Sequence, residues 1–168
     1  MSAPIIRSVT LADAAAIAEI YSYYITESPA TFELEPVTEE TIAQRIVAAA
    51  TDYPFLVMED AYRLIGYSCI GPWKPRAAYL HTGETSIYLD PAHTGSGHGS
   101  RLYRELLTRA QDYDLHCLIS GISLPNPASE ALHRRVGFQP CGTMREVGFK
   151  FQRYIDVAYY QYILPGAE

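Results

Sequence analysis

No run of this chain approaches the roughly 20 consecutive apolar residues that a bilayer-spanning helix needs, so no membrane span is expected. Met1 to Arg7 is followed by no apolar core of a secretory signal, and no export is expected either. Basic charge is short as well: 13 Lys and Arg stand against 19 Asp and Glu, a formal net charge of −6 at pH 7. A nucleic-acid-binding surface is basic, so that class is disfavoured, while a local basic pocket is still allowed. Cysteine is sparse and odd in number. Cys69, Cys117 and Cys141 lie far apart in apolar stretches, which predicts buried reduced thiols and a cytosolic (cytoplasmic) compartment. No metal-ligand spacing joins His81, His93, His98 and His116; they read as structural or solvated, and no metal is expected. Repeats, low-complexity tracts and linkers are lacking too. What remains is 168 residues, 48 % of them hydrophobic, enough for one ordered domain over residues 1–168 with a sizeable core.

The strongest positive signal runs from Thr85 to Ala110. Ser86-Ile87-Tyr88-Leu89 alternates as a strand does, and Asp90-Pro91 ends it, because proline removes a ladder donor. Thr94-Gly95-Ser96-Gly97-His98-Gly99 is too rich in glycine to be other than a loop. From Ser100 onward, Leu102, Tyr103, Leu106, Leu107 and Ala110 recur at helical spacing. Strand, glycine loop and helix in that order turn several N–H groups toward one point at the positive end of a helix dipole, which suits a phosphate or pyrophosphate. A tight connection without a ligand is the plain alternative. No Gly-Lys-Ser/Thr follows, so this is not a Walker loop. Its mid-chain position, with no acidic residue about 20 residues on, makes it a poor dinucleotide fingerprint.

The rest of the chain supplies alternating elements. Ile5 to Val9 predicts a strand, and Thr10 to Asp13 a capping box before a helix that carries Ile17, Ile20, Tyr21, Tyr24 and Ile25 on one face. Ser28-Pro29 ends that helix, and Thr38 caps a second one with Glu39 and Glu40 in its first turn. Phe55 to Met58 and Leu64 to Trp73 read as strands about a turn near Asp60 to Arg63. Gly83 to Leu89 and Cys117 to Ile122 are further strands, Asn126 to Val136 a helix ended by Gly137, and Phe138 to Phe149 and Phe151 to Leu164 the last two strands. The order β-α-α-β-β-β-α-β-α-β-β is that of a mixed α/β sheet.

Thr94 to Gly99 with the following Ser100-Arg101-Leu102-Tyr103 resembles the pyrophosphate loop of the GNAT superfamily of acetyl-CoA-dependent N-acetyltransferases, which reads Q/R-x-x-G-x-G/A before a helix. Further stretches are similar to the phosphinothricin (methionine sulfoximine) acetyltransferases, in the family's order and over nearly the whole chain. They are Ala30 to Glu33, Gly71 to Arg76, Glu84 to Leu89, Leu124 to Asn126, Leu132 to Phe138, and Gly148 to Lys150 leading to Asp156-Val157. Four positions depart. Thr94 and Gly95 stand where the family usually has Gln/Arg and Arg, Tyr154 where it has Trp, and Gln152 where it often has Gly. The loop therefore brings no cation to a pyrophosphate and must rely on backbone N–H groups. The resemblance implies the GNAT fold: a central, mostly antiparallel sheet, splayed at the acetyl-CoA site, with helices on both faces. It also implies a homodimer, and acetylation of the α-amino group of small amino-acid-like acceptors by direct transfer from acetyl-CoA.

Acetyl transfer to an amine needs a neutral amine, a positioned thioester, and stabilisation of the oxyanion and of the leaving thiolate. Strand alternation sets Glu84, Ser86, Tyr88 and Asp90 on one face, with Glu84 about 20 Å of extended chain from Asp90. Glu84 is the expected base, where the family has its catalytic glutamate; a solvated strand-end acid is the alternative. Backbone groups of Ile87, Tyr88 and Leu89 are expected on the pantetheine arm and the acetyl carbonyl, as GNAT relatives use this strand. Gly95, Ser96, Gly97, His98, Gly99 and Ser100 would take the pyrophosphate. Asn126 is either a helix N-cap or a pantetheine ligand. His133 stands where GNAT enzymes often have a proton-donating tyrosine; it is either that acid or a satisfied half-buried histidine. Lys74 and Arg76, beside Trp73 and Tyr79, form a basic cluster able to grip a carboxylate or phosphinate, or else a solvated turn. Phe32 and Glu33 are expected to wall the acceptor pocket, and Lys150 and Tyr154 to approach it from a partner subunit. Acetylation of a polyamine, an aminoglycoside or a protein N-terminus, or acyl-CoA binding without turnover, are the competing functions; Lys74 and Arg76 argue against cationic acceptors.

Overall fold

The computed structural model describes residues 3–166. Residues 1–2 and 167–168, the ends of the expected domain, lie outside the described residues, as does Met1 of the stretch read for a signal. The chain forms β1 (Ile5–Ser8), α1 (Ala14–Glu27), α2 (Glu39–Ala49), β2 (Phe55–Asp60), β3 (Arg63–Pro72), β4 (Thr82–Leu89), α3 (His98–Ala110), β5 (Cys117–Ser123), α4 (Pro127–Val136), β6 (Gln139–Lys150) and β7 (Arg153–Ile163). Short 3₁₀ turns at Leu11–Asp13, Ala77–Tyr79 and Pro91–His93 punctuate the connections. The strands make one sheet in the order β1-β2-β3-β4-β5-β7-β6. Each neighbouring pair is antiparallel except β4 and β5, which run parallel. This is the expected mixed α/β architecture with helices on both faces.

Alternation along the central strands supplies two cores. Val57 and Tyr67 face α1 and α2, where they meet Ile17, Tyr21, Ile25, Ile42 and Ile46. Leu56 and Met58 point the other way, onto Leu102, Tyr103 and Leu106 of α3, with Leu118 of β5. Burying each such leucine stabilises the fold by about 1.5–3 kcal/mol. The first helix begins later than its capping box suggests, after the Leu11–Asp13 turn. Asp13 still accepts from the Thr10 N–H at 2.7 Å, and its carboxylate also holds Arg7 of β1 at 2.8 Å.

Two hairpins close on tight turns. Ala61 and Tyr62 join β2 to β3 with φ of 46° and 67°, and Phe151 and Gln152 join β6 to β7 with φ of 50° and 57°. Left-handed conformation at both central residues matches the twist of the paired strands. One expectation about cysteine fails. Cys117 is buried, but Cys69 is half-buried and Cys141 is exposed. Cys141 lies on β6, an edge strand of the sheet that among the described residues has no further strand on its outer side and is exposed along most of its length.

Candidate functional site

The site is organised by the two sides of β4. On one side β4 pairs with β3 from Pro72↔Gly83 to Gly66↔Leu89. On the other it pairs with β5 only at Thr82↔Cys117, Gly83↔Leu118 and Glu84↔Ile119. Beyond that point β5 stays with β7 as far as Ser123↔Val157, so the sheet opens into a gap after Glu84 and Ile119. Trp73 N–H donates to Thr82 O at 3.3 Å and Asp90 N–H to Ile65 O at 2.9 Å, which assigns the even-numbered backbone groups of β4 to β3. The backbone groups of Ile87 and Leu89 are thereby aimed at the gap. Tyr88 spends its backbone on β3, and its ring packs 5.0 Å from Tyr21 and 5.1 Å from Tyr24. Of the three residues expected to offer main-chain groups, Ile87 and Leu89 are oriented to do so and Tyr88 is not. The Leu89 carbonyl already accepts from the Tyr24 hydroxyl at 2.6 Å.

The glycine loop lies at the far end of this gap. Gly95 and Gly97 have φ of 77° and 82°, and a Cβ on either would meet nothing within 4 Å. Gly97 is the N-cap of α3 and brings no side-chain acceptor, whereas Thr38 caps α2 and Asn126 caps α4, each at 3.1 Å. The first amides of α3 therefore lack a side-chain cap among the described residues, at the positive end of the helix dipole. Gly99 and Ser100 are buried behind them. The Arg135 guanidinium, from α4, stands 3.5 Å from the Ser100 hydroxyl. This is the positive charge that the loop itself lacks. Sequence reasoning missed it because Arg135 lies 35 residues from Ser100 and meets it only through helix packing. The gap and loop together suit an extended, amide-bearing chain that ends in a phosphate. Asn126 gives its side-chain oxygen to the Ser129 N–H, the capping option of its two expected roles.

On the α1/α2 side of β4 lies a cleft of about 590 Å³. Glu84, Ser86 and Tyr88 of β4 line it, with Tyr67 and Cys69 of β3, Tyr21 of α1 and Arg45 of α2. Alternation thus delivers the expected face of β4 to a cavity. Glu84 is open to the cleft, yet the surrounding protein strips enough water from its carboxyl to raise its pKa above the ordinary range, while the Lys74 ammonium pulls it partly back. Burial pushes the Cys69 thiol up to about 12, so it stays protonated at neutral pH.

The other expected residues fall in three places. Lys74, Arg76 and Tyr79 lie on the exposed β3–β4 connection and do not line the cleft; the Lys74 ammonium sits 5.1 Å over the Trp73 ring. Phe32 packs on Gly148 of β6, where an added methyl would strike its ring. Glu33 accepts from the Tyr21 hydroxyl at 3.0 Å and pairs with Arg45 at 2.8 Å. Lys150 reaches this loop from its own chain: its buried ammonium donates to Ser28 O at 2.9 Å and Thr31 O at 2.7 Å. Tyr154 is exposed on β7.

His133 is closed into the core, 2 % exposed, among Tyr103, Phe138 and Tyr160. Its Nδ1 is 2.7 Å from the Ser129 carbonyl, which can only accept, so Nδ1 carries the proton. Nε2 then accepts from the Ser120 hydroxyl at 2.7 Å. Burial holds its pKa below the ordinary value, so the ring is neutral. Of the two descriptions open to it, His133 fits the satisfied core histidine: both nitrogens are engaged and it lines neither the cleft nor its mouth.

A family model described as an acetyltransferase (GNAT) domain matches residues 6–159. The chain is 38 % identical over 149 residues to the phosphinothricin N-acetyltransferase of Streptomyces coelicolor, covering 86 % of this chain and 87 % of that protein. It is 34 % identical over 157 residues to an L-methionine sulfoximine/L-methionine sulfone acetyltransferase of Salmonella typhimurium, covering 93 % and 92 %. Among solved structures, yncA from Salmonella typhimurium with its cofactor acetyl-CoA superposes with a TM-score of 0.95 at 33 % identity, over 98 % of this chain and 96 % of that one.

Proposed function

Since the chain belongs to the GNAT acetyltransferase family, and is an acetyl-CoA-dependent N-acetyltransferase, we propose that it acetylates the α-amino group of small amino-acid-like acceptors by direct transfer. The observation that carries this reading is the place of Glu84: it lies where β4 parts from β5 and also lines the cleft. Acetyl-CoA supplies the activated acetyl group. Ile87 and Leu89 take its amide-bearing arm as an added strand would be taken. Gly95 to Ser100 hold the pyrophosphate, with Arg135 contributing charge. An acceptor amine arrives largely protonated at pH 7, and Glu84 removes that proton, directly or through one water. Its raised pKa makes it a stronger base than a solvated carboxylate. Cys69, the cysteine that lines the cleft, is held as a neutral thiol, which favours direct transfer over an acyl-enzyme on that residue. His133, enclosed in the core, holds α4 on β5, and the departing thiolate takes its proton from solvent.

The acceptors follow from the relatives, whose names specify phosphinothricin and methionine sulfoximine or sulfone. Residues 1–168 act as one catalytic domain in the cytosol. A second copy covers β6, an edge strand whose Met144, Val147 and Phe149 are exposed beside Phe151 and Tyr154.

Glu84→Gln tests the mechanism. Turnover of L-methionine sulfone falls about 10²- to 10⁴-fold at neutral pH, while acetyl-CoA binding, followed by calorimetry, is unchanged. Equal turnover in variant and wild type removes Glu84 from the mechanism. Thiol release with L-phosphinothricin or L-methionine sulfoximine but not with spermidine supports the acceptor class; release with spermidine alone, or with no amine, refutes it.

A further inference from the structure

We infer that Arg45 is a specificity-determining residue that binds the oxygen-bearing head group of the acceptor, a phosphinate or sulfonyl, at the end of the cleft away from Glu84. This deepens the proposed function and rests on reading the cleft as the acceptor site. Arg45 is the one cation among the residues that line the cleft. Its fork is held from two sides. Nη2 lies 2.8 Å from a Glu33 oxygen, and the guanidinium carbon stands 5.7 Å over the Tyr21 ring. Glu33 is itself fixed by the Tyr21 hydroxyl, which also meets the Thr31 hydroxyl at 2.7 Å. Glu33 is the one carboxylate within ion-pair distance of Arg45 among the described residues. An arginine held this way loses little conformational freedom when it takes a further oxygen.

The chemistry of an α-amino acid then divides the cations. Amine and carboxylate share one carbon, so whatever grips the α-carboxylate must stand beside the base. Arg45 stands 5.7 Å over the Tyr21 ring, which packs 5.0 Å from the ring of Tyr88, and Tyr88 lies four residues along β4 from Glu84, about 13 Å by strand rise. Arg45 is therefore at the end of the cleft away from the base, and the acceptor side chain runs toward it along Tyr67 and Tyr88. The remaining acids nearby are Glu33, already paired with Arg45, and Asp52 on the cleft wall.

The test compares three acceptors with the full chain: L-phosphinothricin, L-methionine sulfone, and L-norleucine, which has no head-group oxygen. In Arg45→Met, KM for phosphinothricin rises about 10- to 100-fold, the loss expected for a hydrogen bond to a charged group. KM for the sulfone rises less, and KM for norleucine and for acetyl-CoA changes less than about twofold. Arg45→Lys, which keeps the charge opposite Glu33, recovers part of the phosphinothricin KM and controls for folding. Equal KM changes across the three acceptors, or none, overturn the assignment while leaving the acetyltransferase reading intact. Wild-type protein that turns over none of the three acceptors overturns both.

Discussion

Glu84 sits between opposing influences. The protein around it disfavours its charge, and Lys74 restores part of what desolvation takes away. Removing Lys74 leaves only the first influence, so the Glu84 pKa rises further and its basic form is reached at higher pH. Lys74→Ala therefore moves the acid limb of kcat/KM to higher pH, and Lys74→Arg leaves it where it was; a profile unmoved by Lys74→Ala rules out this coupling. That Glu84 shares a face with Ser86 and Tyr88 was legible in the sequence from period-two alternation. The parting of β4 from β5 beside it was not, because it depends on pairing between distant strands. Nor was Arg45. Its position marks only one turn of α2, and its partners, Glu33 and Tyr21, come from other parts of the chain. His133 shows a similar limit. A histidine four residues before Gly137 can be an acid or a core side chain, and the Ser120 and Ser129 oxygens that decide between them appear only when β5 and α4 pack.

At the level of elements, each strand and helix was readable, and the ends less so. Ile5 to Val9 closes one residue early, at Ser8, and α1 waits for the turn at Leu11–Asp13. Turn chemistry is where local signals were weakest. Ala61-Tyr62 and Phe151-Gln152 carry no glycine, yet all four residues adopt positive φ. Pairing of the flanking strands imposes that conformation against local preference. Gln152 stands where the resemblance leads one to expect glycine, and its φ of 57° is a conformation that glycine adopts without strain. Left-handed backbone costs a non-glycine residue roughly 1–2 kcal/mol, part of which glycine gives back through its freer unfolded chain. Gln152→Gly is accordingly stabilising by about 0.5–1 kcal/mol, a rise in melting temperature of about 1–4 °C by calorimetry. A fall in melting temperature refutes the strain.

For the molecule as a whole, the sheet order was not written in any one stretch. The sequence order of elements implied a mixed sheet, but the insertion of β7 between β5 and β6 emerges only from pairing. That arrangement leaves β6 as an outer strand, unpaired on one side among the described residues, with Met144, Val147 and Phe149 in solvent. Light scattering during size-exclusion chromatography should give twice the mass of one chain. Met144→Lys combined with Val147→Lys should halve that mass with little change in melting behaviour of the monomer. A wild-type protein of single-chain mass removes the proposed homodimer.

The buried ammonium of Lys150 bears on that assembly. It ends β6 and is fastened to the carbonyls of Ser28 and Thr31, while Phe32 rests against Gly148 two residues earlier. The rim strand and the segment carrying Glu33 are thus a single mechanical piece. Whatever leans on that strand from outside leans also on the acid that steadies Arg45, so the proposed dimer contact and the proposed head-group contact share one lever.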